Sequence, residues 1–420
     1  MFRAAFFARR GCAPLSGRAR FPFLIVMGLA LSGCQTPPLD AARFHFRQGQ
    51  ARVAAEELSS RNDEVPAKDR VLFWMERGTF WQAAGDAASS SKDFIAAAEH
   101  LEKLETYRLS QGAASLVIND TVQEFRGVPY ERTLLHAMTA MNHFSVGHWD
   151  DAAVEARRLL ITLDPEHRGE YPEDAFSRYV AGFAFEMIDD PSNAALQYRL
   201  ANARTDHVRV DDRNGRLSAL PGFETGNPAQ QPAGERDEAE AGDTSELVVF
   251  ILLGDNFTLP SAQSKSGTKQ KCDYAEIMLK GRRLGRSFPL ADTQALFVET
   301  ERLEALRKAV KSGTRFVFKE MLAEAAAQSA ENDAVGDVVR FLLYGLLGHP
   351  DTRRWETLPR QLHVARVSCP PDLESFTVVV RNGRGGLIRT YEVRVPLQRR
   401  RSLWISVVRD LPLPPPEIHP

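Results

Sequence analysis

The chain has 420 residues, 43% of them hydrophobic and 26% charged, with 53 basic against 55 acidic side chains and a formal net charge of -2. That length supplies enough apolar residues for two cored domains. The near-neutral charge argues against a nucleic-acid partner and against a polybasic membrane patch.

The first 20 residues carry Arg3, Arg9, Arg10, Arg18 and Arg20 and no acid. An apolar run from Phe21 to Leu31 follows. It is too short to cross a bilayer, which takes about 20 residues. A cationic start, a short apolar run and small residues at its end read as a secretory signal peptide. The last four residues, Leu31-Ser32-Gly33-Cys34, resemble the bacterial lipobox. That resemblance implies a diacylglyceryl group on the Cys34 thiol and cleavage just before it. Several acyl chains together hold a protein on a membrane far more firmly than one. Gln35 stands where Asp would imply inner-membrane retention, so the expected location is the outer membrane, facing the periplasm. Cys12 leaves with the signal. Cys272 and Cys369 remain in an oxidising compartment, as one disulfide or as two separate buried thiols.

A tether is expected over residues 34–40, and from Ala41 to about residue 205 the apolar spacing is helical. The clearest unit runs from Tyr130 to Pro165. Leu134, Leu135, Met138 and Met141 form one stripe, Gly147 marks a tight turn and Asp150 is the expected cap of the next helix. Ala152, Ala153, Ala156, Leu159 and Leu160 form a second stripe, and Pro165 ends it. With Trp149 at the turn, the unit resembles the tetratricopeptide repeat. A second copy begins at Ala175, and two looser ones begin at Phe44 and Phe73, at irregular spacing. The alternative is a helical bundle without repeats. Stacked repeats make a concave surface that takes peptides or proteins.

Residues 206–244 read as a polar linker, with Gly226–Gly234 and an acidic run to Glu240. Beyond it, residues 245–410 read as an α+β domain with a mostly antiparallel sheet. Strands are expected over Glu246–Leu253, Ala295–Glu299, Gln361–Val367, Ser375–Val380, Leu387–Val395 and Leu403–Val408. Asn382–Gly386 signals a hairpin. Helices are expected over Arg302–Val310 and about 316–347. A proline-rich tail, 411–420, ends the chain. The fold class expected is therefore an all-α tetratricopeptide-like domain followed by an α+β domain.

Asp351-Thr352-Arg353-Arg354-Trp355-Glu356-Thr357-Leu358-Pro359 resembles the D-T-R-x-W-x-T-L-P segment of a family of uncharacterised bacterial lipoproteins. Tyr130-Glu131, Leu134-Leu135-His136, Gly147 and Ala153–Arg158 match the same family upstream. The resemblance implies an envelope protein, with a link to cell-envelope or peptidoglycan biogenesis. It assigns no chemistry.

None of the common catalytic or metal motifs is present: no His-Glu-x-x-His, no Cys-x-x-Cys, no Gly-x-Ser-x-Gly. Ser89-Ser90-Ser91-Lys92 fits Ser-x-x-Lys, but its Lys-Ser-Gly partners at Lys265 and Lys311 fall across the linker. His143 and His148 flank a helix turn and read as surface histidines, so neither a metal nor a cofactor is expected. Tyr130, Glu131, Trp149, Asp351, Arg353 and Trp355 are the candidates for a partner-binding or a structural motif. The expected protein is not an enzyme. It is a lipid-anchored scaffold that binds an unknown envelope protein, or else a small-molecule or glycan binder using a cleft between the two halves. Cys34→Ala is expected to abolish incorporation of labelled fatty acid and to move the protein out of the membrane fraction. Retention of the variant on membranes would refute the lipid anchor.

Overall fold

A computed structural model of the chain describes residues 37–111, 124–220, 245–254, 273–311, 353–394, 399–400 and 402–412. Within them, nine helices come first: α1 Pro37–Arg47, α2 Ala51–Ser60, α3 Arg70–Ala83, α4 Ala87–Gln111, α5 Pro129–Val146, α6 Trp149–Leu163, the short α7 Pro165–Arg168, α8 Ala175–Met187 and α9 Pro191–Asn202. They pack as neighbouring pairs, α1 on α2, α3 on α4, α5 on α6 and α8 on α9.

The turns explain the pairing. Gly147, at φ 76°, closes α5 by returning its N–H to the carbonyls of His143 and Phe144. That left-handed conformation is cheap for glycine alone. Asp190 caps α9, its carboxylate accepting from the Asn193 N–H at 3.1 Å. Asp150 is not a cap. His148 occupies that place, and Asp150 sits with Asp151 in the first turn of α6, where both meet the positive end of the helix dipole. α1 starts at Pro37, inside the stretch expected as tether. Proline loses nothing in a first turn, and Leu39, Ala42 and Phe46 give the helix a buried stripe.

Two further expectations change. Residues expected to begin the linker form a hairpin, β1 Val208–Val210 with β2 Leu217–Ala219. Val208 and Val210 are buried, but three-residue strands leave too short an alternation to be seen in sequence. Ala295–Glu299, expected as a strand, belongs to α10 Thr293–Lys311. The Asp292 carboxylate accepts from the Gln294 and Ala295 N–H groups at 2.9 and 3.0 Å. This cap starts a helix where the apolar run alone suggested a strand. The helix expected over 316–347 lies outside the described residues.

The remaining strands are β3 Ser245–Leu253, β4 Tyr274–Leu279, β5 Arg282–Arg286, β6 Phe288–Asp292, β7 Gln361–Cys369, β8 Ser375–Arg381, β9 Leu387–Arg394, β10 Arg399–Arg400 and β11 Leu403–Arg409. One sheet has the order β10-β11-β3-β7-β6, the other β5-β4-β8-β9. Only β11 and β3 run parallel; the other described pairs are antiparallel. The architecture is thus mixed, helices first and mostly antiparallel sheets after.

β3 is buried on both faces. Leu247, Val249, Ile251 and Leu253 pack against β4 and β8 between the two sheets. Val248, Phe250 and Leu252 join the core of the helices. The Phe250 ring lies 5.6 Å from Phe144, 5.5 Å from Phe183 and 6.1 Å from Phe176. Helices and sheet therefore share one core, and the described residues fall in one compact unit. Phe250→Ala removes that shared ring and is expected to cost about 3–5 kcal/mol. Urea unfolding measures it; a loss below about 1 kcal/mol would show that the helices and sheets are cored separately.

Candidate functional site

The segment that carries the family resemblance is turned inward. Residues 353–359 lead into β7 and lie across α1, α3 and α5. Arg353 donates to the Asp69 carboxylate at 2.7 Å and to the Lys68 carbonyl at 3.1 Å. Trp355 is 1% exposed. Its indole N–H donates to Thr79 Oγ1 at 2.9 Å, and its ring meets Phe94 edge-on at 5.6 Å. The Trp355 backbone N–H donates to Glu131 Oε1 at 2.8 Å, while Glu131 Oε2 takes the Val128 N–H at 3.0 Å.

Glu76 on α3, fully buried, is the second anchor. Arg43 donates to its Oε1 from Nε at 3.0 Å and from Nη2 at 2.7 Å. The Glu356 N–H donates to the same oxygen at 3.0 Å, and Thr357 Oγ1 donates to the other. Arg43 also pairs with Glu356 at 3.2 Å. A buried charge left alone would destabilise by several kcal/mol, about 3–5, so the polar set must close as a whole.

The structure thus brings Tyr130, Glu131, Arg353 and Trp355 together. Tyr130 is buried beside Glu131 in the first turn of α5. Trp149 is not part of this set; it opens α6 and packs half-buried at the border of the helical core. Asp351, Cys272, Cys34 and the lipobox residues Leu31, Ser32 and Gly33 lie outside the described residues. Cys369 is buried between the sheets at the end of β7. The serines of the Ser-x-x-Lys stretch have structural partners. Ser89 bonds the Asp86 carboxylate at 2.9 Å, and Ser90 donates to the Gly78 carbonyl at 2.7 Å and accepts from Asn142 at 2.8 Å. The cleft expected between the two halves is filled, where described, by Phe250 and its aromatic neighbours.

An open cavity of about 360 Å³ lies instead on the helices, between α4, α5 and α6. Ala98, Leu101, Leu135 and Ile161 supply apolar wall; Glu102, Glu105, Arg132, His136, Arg158 and His167 supply charge and hydrogen-bonding groups. Ile161 is 56% exposed. Arg132 pairs with Glu105 across the cavity wall. His136 meets the Glu155 carboxylate at 2.7 Å, and Arg158 takes its other oxygen at 2.9 Å. Burial raises Glu155, but the His136 and Arg158 contacts outweigh it and hold the carboxyl below its ordinary range. His136, Glu155 and Arg158 stand among the residues that carry the upstream resemblance, yet nothing in their spacing shows that they meet. Glu102 and Glu105 gave no signal in sequence, being ordinary charges on a long helix.

No family model matches the sequence, and no curated protein matches it.

Glu131 carries a pH signature. Burial pushes its carboxyl from 4.5 up to about 7, against the backbone N–H groups of Trp355 and Val128, which favour the charge. Between those values the folded chain holds a proton that the unfolded chain has released. Stability is therefore full below pH 4.5 for this group and is lost as pH rises towards 7, by about 3 kcal/mol in all at ~1.4 kcal/mol per unit. Urea midpoints at pH 4.5 to 7.5 should fall by this contribution in the wild type relative to Glu131→Gln. Parallel profiles for the two proteins would remove Glu131 as the cause.

Proposed function

We propose that this chain is a lipid-anchored bacterial envelope lipoprotein of the family it resembles, tethered through Cys34. Its paired helices act as a degenerate tetratricopeptide-like array and hold a segment of another envelope protein in the groove between α4, α5 and α6. The observation that carries this reading is the groove itself. It is open, its apolar wall includes the exposed Ile161, and its rim carries both signs of charge. Helical repeats take partner segments in such grooves, with apolar anchors for affinity and rim charges for register. The buried segment 353–359 fits a structural part in this protein, since Trp355 and Glu131 have no face left for a partner. The resemblance also supports a place in envelope or peptidoglycan biogenesis.

A second reading is a small polar ligand or glycan in the same groove. Its volume lies in the range of small-molecule sites, roughly 300–1,000 Å³, and His136 and Arg158 line it, both held by the buried Glu155 carboxylate.

A photoreactive amino acid at position 161, introduced in living cells, tests both. The expected result is an adduct with one envelope protein, absent when the probe stands at the exposed Leu387 on β9. Arg132→Glu in the probe-bearing chain is expected to reduce the adduct about tenfold, the scale of a central contact. Equal adducts from both positions would rule out the groove as a specific site. No adduct, together with a thermal shift given by a soluble muropeptide, would replace the protein partner with the glycan.

A further inference from the structure

The turn between α5 and α6 holds three ligand-type side chains that the groove does not use. His143 stands in the last turn of α5, His148 at the N-cap position of α6 and Asp151 in the first turn of α6. One ligand atom of each lies within 4.8 Å of the other two. The imidazoles of His143 and His148 are stacked, with centroids 6.3 Å apart and planes 24° apart. His148 Nδ1 lies 3.5 Å from Asp151 Oδ2. Sequence spacing shows the two histidines alone; the first turn of α6 adds the carboxylate that completes a set.

The backbone under this set is fixed without help from an ion. The Gly147 N–H bonds the Phe144 carbonyl at 3.2 Å, the His148 N–H bonds the His143 carbonyl at 2.9 Å, and the Ala152 N–H bonds the His148 carbonyl at 3.0 Å. An ion bound here would therefore order side chains and leave the loop as it is, which keeps the entropic cost low. Around one Zn²⁺, with bonds near 2.0–2.2 Å, ligand atoms sit about 3.3 Å apart. The His148–Asp151 edge is already close to that. The other edges close by rotating His148 and Asp151, both largely exposed.

The local field fits a cation. Asp150 and Asp151 are both in the first turn of α6, and the Glu155 carboxylate lies one turn further on, near His143. The positive end of α6 opposes a cation and the negative end of α5 favours one; at this turn the two ends meet and offset each other. Burial, above all, and the neighbouring His148 hold His143 below its ordinary range, despite Asp151 and Glu155. A neutral imidazole at this place has a lone pair to donate to a cation. Two imidazoles and one carboxylate select a borderline transition metal over Mg²⁺ or Ca²⁺, which want oxygen alone.

We propose that His143, His148 and Asp151 form a site for a divalent cation of the Zn²⁺ type, with the remaining coordination positions open to water or to a side chain of another molecule.

The test uses the full chain purified without a histidine tag and stripped with a chelator, titrated with ZnCl₂ by calorimetry. One Zn²⁺ per chain is expected, with no heat from MgCl₂ and with a rise in Tm on Zn²⁺ addition. His143→Ala, His148→Ala and Asp151→Asn are each expected to weaken Zn²⁺ about tenfold or more, and the double histidine variant to abolish it. His45→Ala, on α1, is expected to change nothing. CoCl₂ in place of zinc should give visible d–d bands that the double variant lacks. Each single variant is first checked for the wild-type Tm without metal; His148→Gln replaces any that fails. Absence of Zn²⁺ binding, or binding left intact by all three substitutions, overturns the site.

Discussion

The described helices and sheets are arranged around a strand buried on both faces. β3 runs Ser245-Glu246-Leu247-Val248-Val249-Phe250-Ile251-Leu252-Leu253, and its side chains alternate between two different cores. A strand covered on one side alternates apolar with polar; a strand covered on both reads as one apolar run. A slip of one residue would put Phe250 between the sheets and withdraw it from Phe144, Phe176 and Phe183. The register of β3 therefore fixes where the helices stand on the sheet. Arg366 on β7 reinforces that position from one strand away. It is nearly buried and reaches Glu186 on α8 at 2.8 and 2.9 Å and Glu246 on β3 at 2.8 Å.

The second tie between helices and sheet is polar. Segment 353–359 enters the helices with its own backbone donors, which Glu76 and Glu131 accept, and with Arg353, which pairs with Asp69. Each carboxylate accepts an N–H from the segment, so neither the helices nor the segment is satisfied without the other. Polar sets of this kind add little net stability compared with an apolar core, but they penalise a wrong register steeply. Phe250 gives the layers their cohesion. Glu76 and Glu131 give them one permitted alignment.

How far the sequence carries depends on the range of the interaction. The helix pairs were legible because Gly147, Asp190 and Pro191 act within one turn of the residues they control. β3, β7, β8, β9 and β11 are legible because their apolar or alternating runs span six residues or more. β5 was not, since Arg282, Arg283 and Arg286 make an edge strand look like a loop. The start of α10 reads as a strand for the opposite reason: Ala295-Leu296-Phe297-Val298 has the composition of a strand, and one side chain, Asp292, decides otherwise. The site depends on still longer range. Trp355 and Glu131 stand in separately recognisable motifs, yet they are 224 positions apart, and no local rule says that one donates to the other.

The distribution of covered and open helix surface then narrows where anything else can bind. A stack of helix pairs left alone would expose apolar faces along its length and needs caps to remain soluble. Here α5 and α8 turn Phe144 and Phe183 to the sheet, and α1, α3 and α5 receive the inserted segment. α5 is used twice more. Arg132, Leu135 and His136 point into the groove, while His143 lies at its far end, beside the turn. One helix thus contacts the sheet, the inserted segment, the groove and the histidine turn. A ligand that shifts α5 along its axis would strain Glu131 against Trp355 at one end and Phe144 against Phe250 at the other. Both contacts are closely packed, and packed interiors yield little. Occupants of the groove must therefore fit α5 as it stands, with adaptation left to the exposed side chains of α4 and α6, Glu102, Glu105 and Ile161 among them.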